Sequence, residues 1–225
     1  PMSVELCKVN LWLESIEPGK PLSFLEAHIQ CGDSLVGVTP GLDIAKIQDE
    51  AFNPAFGDDK ATASALRKRN KAERAGQMGL DIYVIEDEDD LQAWMARRAQ
   101  SLDELPEETA EQVAQKAQSY QEYLASPQYR RRKLEYDLWT AAFFWKMEAQ
   151  PGAAGILAPT QEMLRRYRIG GTLPPELVRR VEEMSERLKL LHWGICFPKV
   201  FAGANPGFDC MLGNPPWEKI NLKDE

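Results

Sequence analysis

Two consecutive prolines near the C-terminal end, in Asn214-Pro215-Pro216-Trp217, constrain the backbone more tightly than any other feature of this 225-residue chain. Each proline fixes its own φ and excludes the helical region for the residue before it, so Asn214 and Pro215 are held extended. The run ahead of them, Phe208-Asp209-Cys210-Met211-Leu212-Gly213, reads as a short apolar strand ending on a glycine. The prolines withhold two backbone donors, leaving carbonyls and the Asn214 side-chain oxygen as acceptors. Gly213 lets a ligand approach the main chain, and Trp217 offers a flat apolar face. These residues describe a pocket for a planar amino group.

An exocyclic amine on a heteroaromatic ring is a poor nucleophile because its lone pair is delocalised. If the Asn214 side-chain oxygen and the Pro215 carbonyl hold its two N–H groups, the nitrogen can pyramidalise. The same acceptors then stabilise the positive charge that grows as it attacks a methyl donor. A base inside a duplex has first to be flipped out, and Trp217 is placed to stack on it.

Residues Phe208 to Trp217 resemble the catalytic motif of the amino-group DNA methyltransferases that use S-adenosylmethionine, in the N6-adenine branch. The cytosine-N4 branch usually has serine in place of Asn214. Two further stretches carry the resemblance. One is Leu191-His192-Trp193-Gly194-Ile195-Cys196-Phe197-Pro198-Lys199-Val200-Phe201, similar to the run that precedes this motif in large bacterial adenine methylases of the restriction-modification and phage-defence type. The other is the N-terminal block, from Leu11-Trp12-Leu13-Glu14 through Pro21-Leu22-Ser23-Phe24-Leu25 to Cys31-Gly32-Asp33-Ser34-Leu35-Val36-Gly37.

The N-terminal block is also readable from its residues. Val4, Cys7 and Leu11, flanked by Leu6 and Leu13, recur at helical spacing, and Pro18-Gly19 ends the helix. A short strand around Ala27 to Cys31 is expected to deliver Asp33 to a tight turn, at the sheet edge where α/β proteins bind ligands. The residues alone also permit a self-capped Asx turn at Asp33. The resemblance implies that Asp33 accepts a hydrogen bond from the adenine amine of the cofactor, and that the Ser34 N–H faces the adenine ring. Asn214, Pro215, Pro216 and Trp217 are the implied catalytic residues.

The fold this implies is α/β: a partial Rossmann-like methyltransferase core interrupted by a large, mostly helical insertion. Residues 1–44 and 191–225 would form the two parts of the core, and residues 45–190 the insertion. The glycine-rich loop of such enzymes is not found, and the acidic residue for the cofactor ribose would fall ahead of Pro1. The chain thus reads as a central piece of a larger protein, expected to bind S-adenosylmethionine weakly or not at all and to be inactive alone.

Within the insertion, Pro106-Glu107-Glu108 reads as the acidic first turn of a helix carrying Val113, Ala117, Tyr120 and Leu124 on one face. A second helix is expected from about Tyr129 to Glu148, with a seam of Tyr136, Trp139, Phe143 and Met147. Leu177, Val181, Met184, Leu188 and Leu191 form a third seam. Asn53 to Gly79 reads as a mobile loop with some helix that could order on DNA, and Gly79 to Ile85 as a short strand. The acidic run Glu86-Asp87-Glu88-Asp89-Asp90 reads as the opening of a helix that continues through Leu91 and Trp94 rather than as a metal-nuclease site.

A net charge of −8 argues against DNA being wrapped by the whole surface. The basic clusters Arg67-Lys68-Arg69, Arg130-Arg131-Arg132-Lys133 and Arg165-Arg166 read first as solvated helix faces, with phosphate contact as the alternative. Cys7, Cys31, Cys196 and Cys210 lack paired spacing, which favours reduced thiols and a cytoplasmic location over disulfides or zinc. With only His28 and His192, neither a histidine metal site nor a serine triad has a matching set, so no metal is expected. No run is long and apolar enough for a membrane span. DNA is the implied partner through the full-length protein, possibly with other defence-system subunits; an RNA or protein-glutamine methyltransferase and a non-catalytic defence scaffold are the alternatives.

Overall fold

A computed structural model describes residues 2–76, 86–149 and 156–213. The described residues form eight α-helices: α1 (Met2–Glu14), α2 (Lys60–Ala75), α3 (Glu86–Asp103), α4 (Ala110–Ala125), α5 (Pro127–Phe143), α6 (Gln161–Arg168), α7 (Pro175–Leu188) and the single turn α8 (Trp193–Cys196). A 3-10 turn, Asp49–Phe52, lies between α1 and α2.

Helix α5 is the centre of the body. It packs on α7, α6, α4 and the 3-10 turn, and α2 closes the far side against the 3-10 turn and α6. Leu66, Leu138, Leu164, Leu177 and Val181 are fully buried in one continuous apolar cluster that runs from Val38 to Met184. The seam Leu177, Val181, Met184 faces inward as its spacing predicts. Two indoles tie loops to this core: the Trp139 Nε1–H donates to the Lys46 carbonyl, and the Trp145 Nε1–H to that of Leu157, both at 3.0 Å.

Helix ends are set by particular side chains. Asp59 caps α2 by accepting the Thr62 N–H at 2.7 Å. Thr109 and Gln112 form a reciprocal capping box at α4, so that helix starts after Pro106-Glu107-Glu108. Glu107 is drawn instead to the Lys116 ammonium at 2.5 Å and to the Phe24 N–H at 3.0 Å. Helix α5 stops at Phe143, short of the expected Glu148. Asp58 accepts the Met147 N–H, the Met147 carbonyl accepts the Asp59 N–H, and the chain is pulled out of the helix.

The α/β, Rossmann-like fold expected from the sequence is not what these residues form. Among the described residues there is no strand, only a single parallel bridge between Asp33 and Leu190. At the expected strand Ala27 to Cys31, the His28 and Ile29 N–H groups bend back to the Leu25 carbonyl, at 2.9 and 3.0 Å. A strand requires a neighbour to complete its ladder, and here local turn bonds satisfy these donors instead. Phe208 to Gly213 is likewise irregular, with Leu212 exposed. The acidic run opens α3 as expected, whereas the expected strand at 79–85 lies outside the described residues. No described helix is long and apolar enough to cross a membrane.

Candidate active site

Two segments more than 150 residues apart meet along their backbones. The Asp33 N–H donates to the Lys189 carbonyl at 2.7 Å, the Leu191 N–H to Val36 at 2.9 Å, and the Trp193 N–H to Val38 at 3.1 Å. Lys189, in the left-handed conformation with φ 54°, ends α7 and turns the chain into this pairing. The glycines of the turn are required by the closeness of the approach. A Cβ on Gly37, whose φ is +151°, would meet the Leu191 carbonyl oxygen at 2.1 Å, and one on Gly32 would meet the Leu191 side chain at 2.7 Å.

Asp33 and Ser34 sit at the exposed tip of this turn. Asp33 Oδ1 accepts the Leu35 N–H at 2.9 Å, an Asx turn that fixes the carboxylate while leaving the residue open to solvent. Leu35 beside it is 92% exposed. The tip therefore offers an oriented carboxylate next to an apolar side chain, a combination that fits the amine edge and ring face of a purine. The Ser34 carbonyl accepts the Trp193 Nε1–H at 3.2 Å.

His192 locks the turn to the helical body. Its Nδ1 accepts the Val38 N–H at 3.0 Å, so Nε2 carries the proton and donates to Asp137 Oδ1 on α5, at 2.9 Å. Asp137 also accepts from the Ser185 hydroxyl at 2.8 Å and from the Lys133 ammonium at 2.6 Å. Burial pushes the Asp137 carboxyl up, but the His192 hydrogen bond and the Lys133 charge outweigh it and hold the group below the usual carboxylate range. A serine, a histidine and an aspartate thus converge without forming a nucleophilic triad. Ser185 donates to the aspartate, and both imidazole nitrogens are already engaged, so no base faces the hydroxyl. Burial also pushes the Cys196 thiol up to about 11, which leaves it protonated and unreactive at neutral pH.

Trp193 faces the other half of the site. Its ring and those of Phe197 and Phe201 surround Phe208, edge to face, with centroids 5.7, 5.6 and 5.5 Å away. The Gly207 N–H donates to the Val200 carbonyl at 2.8 Å. Phe208 is the first residue of the run that leads to Asn214, six residues on in sequence. Asn214, Pro215, Pro216 and Trp217 themselves lie outside the described residues.

The structure brings the Asp33-Ser34 turn and the aromatic stretch that begins at Trp193 together. The sequence carries no sign of Asp137, Lys133 or Ser185, because a polar residue within an amphipathic helix looks the same whether it faces solvent or a buried histidine. Among the described residues no group of acidic, cysteine and histidine side chains could hold a metal ion.

The model of the Eco57I restriction-modification methylase family matches residues 1–225, the whole sequence, and the chain belongs to that family of DNA methyltransferases. No curated protein and no solved structure matches it.

Proposed function

We propose, from membership of this methylase family, that the protein transfers a methyl group from S-adenosylmethionine to N6 of an adenine flipped out of duplex DNA. The observation that carries the reading is the position of Trp193, which holds the Ser34 carbonyl with its indole N–H and Phe208 with its ring. The turn suited to the methyl donor and the run leading to the amine-binding residues are thereby tied to one side chain.

In this reading the Asp33 carboxylate, already oriented by the Leu35 N–H, accepts from the adenine amine of the cofactor, and the Ser34 N–H faces its ring. The cofactor supplies an electrophilic methyl group on sulfonium. The Asn214 side-chain oxygen and the Pro215 carbonyl accept the two N–H groups of the target amine, with Pro215 holding the backbone at Asn214 extended and Pro216 doing the same for Pro215. Trp217 stacks on the flipped base. The N–C bond forms as the C–S bond breaks, and one amine proton leaves to solvent. The biological setting is modification of host DNA within restriction-modification or phage defence.

The test is methyl transfer by the whole protein to duplex DNA, with Asn214→Ala as the comparison. Losing one preorganised acceptor is expected to slow transfer by about 100-fold or more. Transfer at the wild-type rate would remove Asn214 from the mechanism.

A further inference from the structure

The outer face of α2 has a composition that its own folding does not require. Its inner face, Thr62, Ala63, Leu66 and Asn70, is buried. Asn70 is fixed there, donating to the Ile47 carbonyl at 2.9 Å and accepting the Gln161 N–H at 2.9 Å. The acidic residue of the helix is turned inward as well: Glu73 accepts from Arg69 at 2.7 Å and from the Glu162 N–H at 2.8 Å, while Arg74 reaches Asp49. What remains outside is Lys60, Arg67, Lys68 and Lys71, all exposed, interspersed only with the small exposed side chains of Ala61, Ser64, Ala72 and Ala75.

None of these four cations forms an ion pair among the described residues. Arg67 with Lys71, and Lys68 with Lys71, are like charges at four- and three-residue spacing, which costs a helix a few tenths of a kcal/mol per pair. A solvated face in a chain of net charge −8 would be expected to interleave acids. Here the acids are withdrawn, and the small alanine and serine side chains leave a smooth surface that a polyanion can approach closely. From Lys60 to Lys71 the face is ~16 Å long at 1.5 Å per residue, the length of about five nucleotides along one strand of a duplex.

The turn that leads into α2 adds a second, independent observation. Phe56 is 104% exposed at its tip, the most exposed large apolar side chain among the described residues. The backbone beneath it is fixed. Asp58 accepts the Ala55 N–H at 2.9 Å and the Met147 N–H at 3.1 Å and pairs with Lys146 at 3.3 Å; Lys146 also donates to the Phe56 carbonyl at 3.4 Å. Gly57 makes the bend at φ +81°. Those backbone hydrogen bonds, the Ala55 bond foremost, hold the Asp58 carboxyl below the usual range. An apolar ring held fully in water on a pinned turn gains nothing from folding, and next to the cationic face of α2 it is free to be buried against whatever that face binds.

We infer that the outer face of α2 and the Phe56 turn form a duplex-DNA docking surface. Lys60, Arg67, Lys68 and Lys71 contact phosphates of one strand, and Phe56 wedges at a base step beside them, as apolar side chains do on duplexes they bend. The inference builds on the DNA-methyltransferase reading but assigns contacts outside the methyl-transfer site.

Duplex binding by the whole protein, measured from 50 to 200 mM salt without cofactor, separates the two parts. Arg67→Ala/Lys68→Ala/Lys71→Ala should reduce the slope of log affinity against log salt by about 3, so that wild type loses about 40-fold more affinity than the variant across this range. Phe56→Ala should weaken binding about 5- to 10-fold at every salt concentration and leave the slope unchanged. Arg179→Ala on α7, whose guanidinium is paired within its own helix by Glu176 and Glu183, serves as the control and should leave the slope unchanged. Far-UV circular dichroism confirms that each variant keeps its helices.

An unchanged slope in the triple variant, an equal loss in the control, or tighter binding of single-stranded RNA than of duplex would overturn the docking surface. Wild-type affinity in Phe56→Ala would overturn the wedge. None of these readouts depends on methyl transfer, so failure of the catalytic reading shows separately, as absence of methylated product.

Discussion

The helical body and the motif-bearing ends of this chain are held together by different physics. In the body, Leu66, Leu138, Leu164, Leu177 and Val181 are fully buried, and apolar burial supplies the stability. In the ends, Met2, Leu6, Leu13, Leu35, Met211 and Leu212 are all more than half exposed, whereas Lys8 on α1 is buried between Glu5 and Glu26. Order there comes from glycine-permitted backbone pairing and from a few polar locks, chiefly His192 on Asp137. The turn that carries Asp33 and Ser34 therefore sits on the less self-sufficient region and is held in place by the other.

The sharpest way to break that dependence is Asp137→Ala. It strands the buried His192 Nε2–H and Ser185 hydroxyl and removes the acceptor of the half-exposed Lys133 ammonium, and is expected to cost about 3–5 kcal/mol in denaturant unfolding. The same carboxylate makes the junction acid-sensitive. Its folded pKa is depressed, so its contribution is complete above the unfolded value of about 3.9 and is lost as pH falls through the lower folded value. Stability should therefore decline below about pH 4, and Asp137→Asn should flatten that decline.

Leu177→Ala addresses the body alone. A buried leucine reduced to alanine leaves a cavity worth about 2–5 kcal/mol, and the amides of α5 and α7 should lose exchange protection together. Gly37→Ala addresses the ends alone. The added methyl meets a backbone carbonyl that cannot rotate away, at a cost of about 1–3 kcal/mol, and the Leu191 and Trp193 amides should exchange faster while those of α5 keep their protection. The smallest effect is expected from Leu6→Ser with Leu13→Ser, whose side chains are already 57% and 65% exposed. A change in stability within about 0.5 kcal/mol fits that exposure, and a loss of more than 2 kcal/mol would show that α1 is packed after all.

Helix content was readable where periodicity and burial agree. Leu177, Val181 and Met184 announce both a helix and its inner face, and the acidic run ahead of Leu91 announces the start of α3. At α1 the periodicity predicts the helix but not its packing, since Val4, Cys7 and Leu11 lie on no described core and Lys8 is the buried residue. The expected strands at Ala27 to Cys31 and Phe208 to Gly213 do not form, because a strand is defined by its neighbour and pairing between distant segments leaves no periodic trace. Here it reduces to one bridge at Asp33 and Leu190.

The site was legible as motifs and illegible as geometry. Gly32 and Gly37 are conspicuous in sequence, but only the proximity of Leu191 explains them. Asp137 meets His192 across 55 residues with no local signal. On α2 the residues expected as a loop with some helix form a regular 16-residue helix, because the Asp59 cap and the inward face through Asn70 outweigh its overall polarity.

The central claim is the identity of the methylated atom. Duplex DNA incubated with the whole protein and S-adenosylmethionine, digested to nucleosides and resolved by mass spectrometry, reports it directly. The account predicts N6-methyladenine in wild-type product and its loss in Asn214→Ala. N4-methylcytosine as the only methylated nucleoside, or no methylated nucleoside at all, would contradict it.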